Sequence, residues 1–172
     1  SLALVLCCTR LIAGTVDVNA PLPLLNIAER GELTMENDDF KFVPWRSDAN
    51  MGSPQVFQYF GATMSDSETF KPFTDLLQTS FKPGSIHVTT VLNLDAAMWG
   101  TTGFIISELE KNKKQHPTST MVVDDDGTGV IEWNLVEAGS GLIITDASGV
   151  VKYFTQQAMS EDDIAAALAV LN

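Results

Sequence analysis

From residue 55 to the C-terminus, runs of β-branched and aromatic residues alternate with amphipathic stretches, and this alternation limits the fold more than any other feature of the chain. Residues 55–60 read as a buried strand, and residues 65–79 as a helix on which Phe70, Phe73, Leu76 and Leu77 recur at about helical spacing. Pro72 is expected to bend that helix. Residues 85–94 form a long β-branched strand. Residues 101–114 form a helix that turns Phe104, Ile105 and Leu109 inward and gathers Lys111, Lys113 and Lys114 near its C-terminus, where cations suit the helix dipole. A strand over 120–123, an acidic turn over 124–129 and a strand-like stretch over 130–135 follow. Asp146-Ala147-Ser148-Gly149 is the turn of a hairpin between 142–145 and 150–154, with glycine where a positive φ is wanted. Ser160 and Asp163 then open a closing helix along Ile164, Leu168 and Leu171. The order β-α-β-α-β, β-hairpin, α predicts an α/β fold of three layers, a central mixed sheet flanked by helices.

Ahead of this core, residues 14–54 read as an N-terminal β extension of the same domain. Residues 21–25 are extended, residues 26–35 suggest a small hairpin around Gly31, and residues 40–43 alternate like an edge strand that stops at Pro44. With 172 residues, one domain accounts for the chain.

Residues 1–13 are an apolar run of signal-peptide length with small residues at a cleavage point after Ala13; a cut after Ala20 is the second choice. Against a signal stand Arg10 and the lack of a basic segment before Ser1, and the competing reading is an N-terminal strand packed on the sheet. The run falls short of the ~20 apolar residues that span a bilayer, so no transmembrane segment is expected in the mature chain. Both cysteines, Cys7 and Cys8, lie inside it, and as neighbours they pair only in a strained ring. Leu6 is an unsuitable residue before a lipid-anchored cysteine. Removal of residues 1–13 leaves a chain without thiol chemistry. Acidic residues number 22 against 10 Lys plus Arg, a formal charge of −12, which repels phosphate backbones and excludes nucleic acid as a partner.

The element order, with Val122-Val123-Asp124 feeding Leu142-Ile143-Ile144-Thr145-Asp146-Ala147-Ser148-Gly149 and a closing helix, resembles the thioredoxin-like superfamily over roughly residues 55–172. The exported thiol reductases and peroxiredoxins are the most similar members. That resemblance implies a Cys-x-x-Cys after the first core strand, at a helix N-terminus whose amides lower a thiol pKa. Here the stretch reads Tyr59-Phe60-Gly61-Ala62-Thr63-Met64-Ser65-Asp66-Ser67-Glu68. One register puts Met64 and Ser67 at the cysteine positions and the next puts Ser65 and Glu68 there, so neither supplies a thiol. The cis-proline that the superfamily places before the hairpin falls at Ser140. Arg30-Gly31-Glu32-Leu33, Asn93-Leu94-Asp95-Ala96-Ala97, Gly100, Ser107-Glu108-Leu109-Glu110-Lys111-Asn112-Lys113-Lys114 and Trp133 are similar to the YtfJ-like family of small exported bacterial proteins. This resemblance implies the periplasm of a Gram-negative bacterium and carries over no catalytic residue. The regulator label sometimes attached to the family does not suit an exported chain of this charge.

Met64, Ser65, Ser67, Glu68 and Ser140 are therefore the candidate site, a vestigial active site turned to holding a peptide or an envelope protein, together with the loop from residue 137 to 141. Ser65 and Glu68 read more readily as a helix-capping box. Trp45, Trp99 and Trp133, with Tyr59, Phe60 and Met64, would line an apolar groove there, or else fill the core. Asp124-Asp125-Asp126-Gly127 lacks the ligand spacing of a calcium loop and reads as a solvated turn. His87 and His116 have no second ligand at metal-binding spacing, and Gly139-Ser140-Gly141 lacks a nucleophile elbow. No cofactor and no metal are expected. The competing class is an enzyme, either a thiol oxidoreductase or peroxiredoxin-like protein using Cys7 and Cys8, or a catalyst using Ser65 and Glu68. The intact mass of protein recovered from an export-competent Gram-negative host is expected to correspond to a chain beginning at Gly14; an uncut chain returns both thiols to the folded protein.

Overall fold

The computed structural model of the chain describes residues 14–136 and 139–172; residues 1–13, with both cysteines and the expected cleavage point, and residues 137 and 138 lie outside the described residues. Among the described residues seven strands form one mixed sheet: β1 Asn26–Glu36, β2 Asp39–Arg46, β3 Gln55–Gly61, β4 His87–Asn93, β5 Thr120–Asp124, β6 Gly141–Thr145 and β7 Val151–Thr155, in the order β2-β1-β5-β4-β3-β6-β7. The central strands β3, β4 and β5 are parallel, and β1, β2, β6 and β7 extend the sheet on both sides by antiparallel pairing. The helices are α1 Met64–Ser67, α2 Lys71–Ser80, α3 Thr102–Gln115, α4 Thr128–Glu132 and α5 Glu161–Ala169.

Strand alternation sorts the apolar residues onto two faces. On one, Val56, Leu142 and Ile144 pack against Phe73 and Leu77 of α2 and Ala167 of α5. Beside them Leu92, Met121 and Val123 meet Leu109 of α3. The opposite face presents Phe57, Tyr59, Val91, Val122 and Ile143, covered by Trp133 and Leu135 after α4, by Val16 and Leu25 from the N-terminal coil and by Trp45 of β2. Among the described residues the short α4 is the one helix of this layer. Trp133 fills the space a longer helix would take: it is fully buried, its ring meets Phe57 and Tyr59 edge-on at 5.7 and 6.2 Å, and its Nε1 donates to the Pro23 carbonyl at 2.8 Å.

Several local expectations are corrected. Residues 26–36 are one strand rather than a hairpin, because Arg30 and Gly31 take positive φ values of 54° and 78° and form an irregularity along which β1 keeps pairing with β2. The hairpin turn is Asn37-Asp38, both at positive φ as a two-residue turn requires. β2 runs past Pro44 to Arg46, which an edge strand tolerates. The helix expected over 65–79 is two helices, since Pro72 lies in the first turn of α2 and cannot continue α1. Residues 130–135 are not a strand: α4 occupies Thr128–Glu132, started by left-handed Gly127. Phe104 points to solvent, while Ile105 and Ile106 pack inward.

Replacing Trp133 by Ala removes the centre of the thin layer and is expected to lower unfolding free energy by about 3–5 kcal/mol, read from urea denaturation. Phe104→Ala, at an exposed position, should change it by less than about 0.5 kcal/mol.

Candidate functional site

The three parallel strands end side by side, and their register sets Gly61, Asn93 and Asp124 in one row across the sheet. The carboxyl end of parallel strands is where open α/β sheets receive ligands. Beyond Gly61 the chain enters α1, whose N-cap is Thr63: its hydroxyl accepts the Asp66 amide at 3.2 Å. Asp66 folds back over Gly61 so closely that a Cβ there would lie 2.6 Å from Oδ2, with Ala96 at 2.9 Å on the other side. Asn93 is buried and its Oδ1 accepts the Asp95 amide at 2.9 Å, holding the loop from Leu94 to Gly100 against the strand ends.

Asp124 anchors the row. Its side chain is 1% exposed, and its carboxylate accepts the Tyr59 hydroxyl at 2.8 Å and the amides of Thr128 and Gly129 at 3.0 and 2.7 Å. Gly129 is required because any Cβ would come within 2.3 Å of the Tyr59 ring. Burial first, and then the Asp124 carboxylate, push the Tyr59 phenol far above its ordinary range, so it remains a donor. Arg30 Nε donates to both Asp125 oxygens at 2.8 and 2.7 Å, with the guanidinium 5.4 Å from the Phe42 ring centroid. This tie secures the strand-end loop to the irregularity of β1. The acidic run is thus no freely solvated turn: its first residue is a buried anchor and its second an ion pair.

Of the sequence-predicted residues, Met64, Ser65 and Ser67 lie in α1 and Glu68 is its C-cap. Ser65, Ser67 and Glu68 are exposed. Thr63 takes the capping role expected of Ser65 and Glu68, and its hydroxyl lies 3.2 Å from that of Ser65. Ser140, buried, stands one residue before the Gly141–Tyr59 pair, at the same end of the sheet. The tryptophan groove does not form: Trp45 and Trp133 are core residues and Trp99 is fully exposed. Met98 is also exposed, as is Phe104 at the start of α3. His87 bonds the Thr120 hydroxyl and His116 caps α3, so they serve different elements. Among the described residues no three His, Cys, Asp or Glu side chains come together to hold a metal, and no helix is long and apolar enough to cross a membrane.

Sequence reasoning missed Asp66, Asn93 and Asp124. The readable signal for Asp124 is a carboxylate ending an apolar strand three residues before Gly127, a helix-start pattern.

The family described as "Bacterial protein of unknown function (YtfJ_HI0045)" matches residues 16–172. An uncharacterised protein of Haemophilus influenzae is 28% identical over 161 residues, 93% of this chain and 88% of that protein. The uncharacterised protein YtfJ of Escherichia coli is 28% identical over 153 residues, 88% of this chain and 83% of that one. Among solved structures, the thioredoxin domain of a Bacteroides vulgatus thiol-disulfide oxidoreductase shares the fold at a TM-score of 0.60 and 12% identity, covering 92% of this chain and all of that one. Three of the blocks that carried the resemblance meet at the Asp124 loop: Arg30 bonds Asp125, the Leu94 amide donates to the Asp124 carbonyl at 2.8 Å, and Trp133 packs on Tyr59; in the block from Ser107 to Lys114, Lys113 instead donates to the Ser119 carbonyl and Lys114 pairs with Asp38.

Tyr59→Phe removes a hydrogen bond to a buried carboxylate and is expected to cost about 1.5–3 kcal/mol in urea unfolding. The same substitution made on Asp124→Asn should cost clearly less, showing that the two side chains act together. Because the fold favours the neutral phenol, the unfolded chain ionises first above pH ~10 and stability falls as pH rises through that value. In a Tyr153→Phe background, the phenolate absorbance of Tyr59 should accordingly appear together with unfolding.

Proposed function

The chain belongs to the YtfJ_HI0045 family, and from that premise we propose that it is a periplasmic binding or accessory domain of thioredoxin-like fold that holds a peptide or envelope protein at the carboxyl end of its sheet, without redox chemistry. In this reading residues 55–172 are the thioredoxin-like core, residues 14–54 its extension, and residues 1–13 a leader. The observation that carries it is Trp99: wholly in solvent, between exposed Met98 and exposed Phe104, on the loop whose Ala96 adjoins Gly61. Scattered apolar residues are ordinary on a surface, but three large ones within seven positions beside the strand ends mark a contact surface. Burying such a tryptophan on a partner would contribute roughly 2–3 kcal/mol. Ser65, Ser67 and Glu68, all exposed, would supply polar contacts at its rim. The stretch from Gly61 to Glu68 offers a partner hydroxyls and carboxylates in place of a nucleophilic thiol.

The second reading is a thiol oxidoreductase. Its support is that solved structures of this fold are thiol-disulfide oxidoreductases by name, a likeness that at 12% identity speaks for the fold. It depends on Cys7 and Cys8, the two thiols of the chain.

A photo-crosslinking residue at position 99, in protein exported to the periplasm, is expected to give a discrete adduct that Phe104→Ser weakens at least several-fold, while insulin reduction stays at background. Thiol-dependent turnover abolished by changing Cys7 and Cys8 to Ser would replace this reading with the second.

A further inference from the structure

At the other end of β3 the thin face of the sheet holds a cavity of about 220 Å³, under the N-terminal coil and the loop after β2. We infer that this cavity is a binding site for a small uncharged molecule, apolar along its length and ending in an amide or hydroxyl. Its walls include Leu22, Leu24, Met51 and Phe57, and its polar part includes Gln55 and Thr145. These last two face each other across the β3–β6 pair and are 2% and 1% exposed. The Thr145 hydroxyl has no hydrogen-bond partner among the described residues. A buried hydroxyl without a partner is destabilising, a penalty a bound polar group would remove. The primary amide of Gln55 offers a donor and an acceptor beside it, the pairing that recognises another amide.

The other polar side chains of the lining are committed. Ser47 accepts the Leu25 amide, Ser148 donates to Asp146, and Asp48 is paired with Arg46 at 2.8 Å. That ion pair leaves no free carboxylate for a cation, and a chain of formal charge −12 repels anions, so the occupant is neutral. Leu24 and Met51 remain exposed at the mouth, as apolar rim that an occupant would cover. The volume exceeds the ~150 Å³ that suffices for benzene in an apolar protein cavity, which admits a molecule of roughly eight to ten heavy atoms.

Hexanamide is the test probe, titrated against the isotopically labelled chain and followed by amide NMR, with hexanoate as the charged control. Saturable shifts are expected at Gln55, Phe57 and Thr145, with hexanoate at least about tenfold weaker because its charge would be desolvated. The near-isosteric Thr145→Val should weaken hexanamide about fivefold, as loss of one neutral hydrogen bond does, while leaving the melting temperature unchanged or higher. Gln55→Leu should act in the same direction. Absence of saturable shifts, equal binding of amide and carboxylate, or equal hexanamide affinity in wild type and a folded Thr145→Val would each overturn the assignment.

Discussion

The buried carboxylate of Asp124 is the interaction on which the strand-end architecture depends. A charge taken out of water is tolerated when it is well hydrogen-bonded, and three donors from two parts of the chain converge on it. One is a phenol from the central strand β3, and two are amides that open α4. This joins β3 to β5 across the intervening β4 and fixes where α4 begins. The position of α4 in turn sets Trp133 against Phe57 and Tyr59, and Trp133 pins the N-terminal coil through Pro23.

From this anchor follows the asymmetry of the molecule. One face of the sheet is covered by α2, α3 and α5, and the other by α4, Trp133, Trp45 and coil. The thin layer gives the two ends of β3 different characters. At the carboxyl end, Gly61, Asn93 and Asp124 hold loops in fixed positions and present Met98 and Trp99 to solvent. At the amino end, coil in place of helix leaves the cavity beside Gln55 and Thr145. The fold is thioredoxin-like, with β1 and β2 added beyond β5.

The alternation of strands and helices from residue 55 onward was legible, because burial on both sides of a sheet leaves long apolar strands and single-faced helices. The capping box of Ser160 and Asp163 and the turn at Asp146-Ala147-Ser148-Gly149 were legible for a related reason: their hydrogen bonds lie within a few residues, so local sequence carries the information. The same locality explains the errors. Gly31 suggested a turn, but its positive φ serves an irregularity held by long-range pairing to β2. Val130 and Ile131 look like strand residues, yet Asp124 and Gly127 make that segment a helix. Trp45, Trp99 and Trp133 share a side chain and have opposite fates, since tryptophan is equally suited to a core and to a contact surface.

By itself the sequence determined the α/β class, the strand and helix order of the core, the acidic charge, and the absence of cysteine from residue 14 onward. These depend on composition and on periodicities of two and 3.6 residues, which are properties of neighbours along the chain. The row of Gly61, Asn93 and Asp124, the tie from Arg30 to Asp125, the exposure of Trp99 and the unpaired hydroxyl of Thr145 were decided only by the tertiary structure. Each depends on strand register and on contacts between residues dozens of positions apart. Neither leaves a local mark, because a side chain's burial and partners are set by whatever the rest of the chain brings against it.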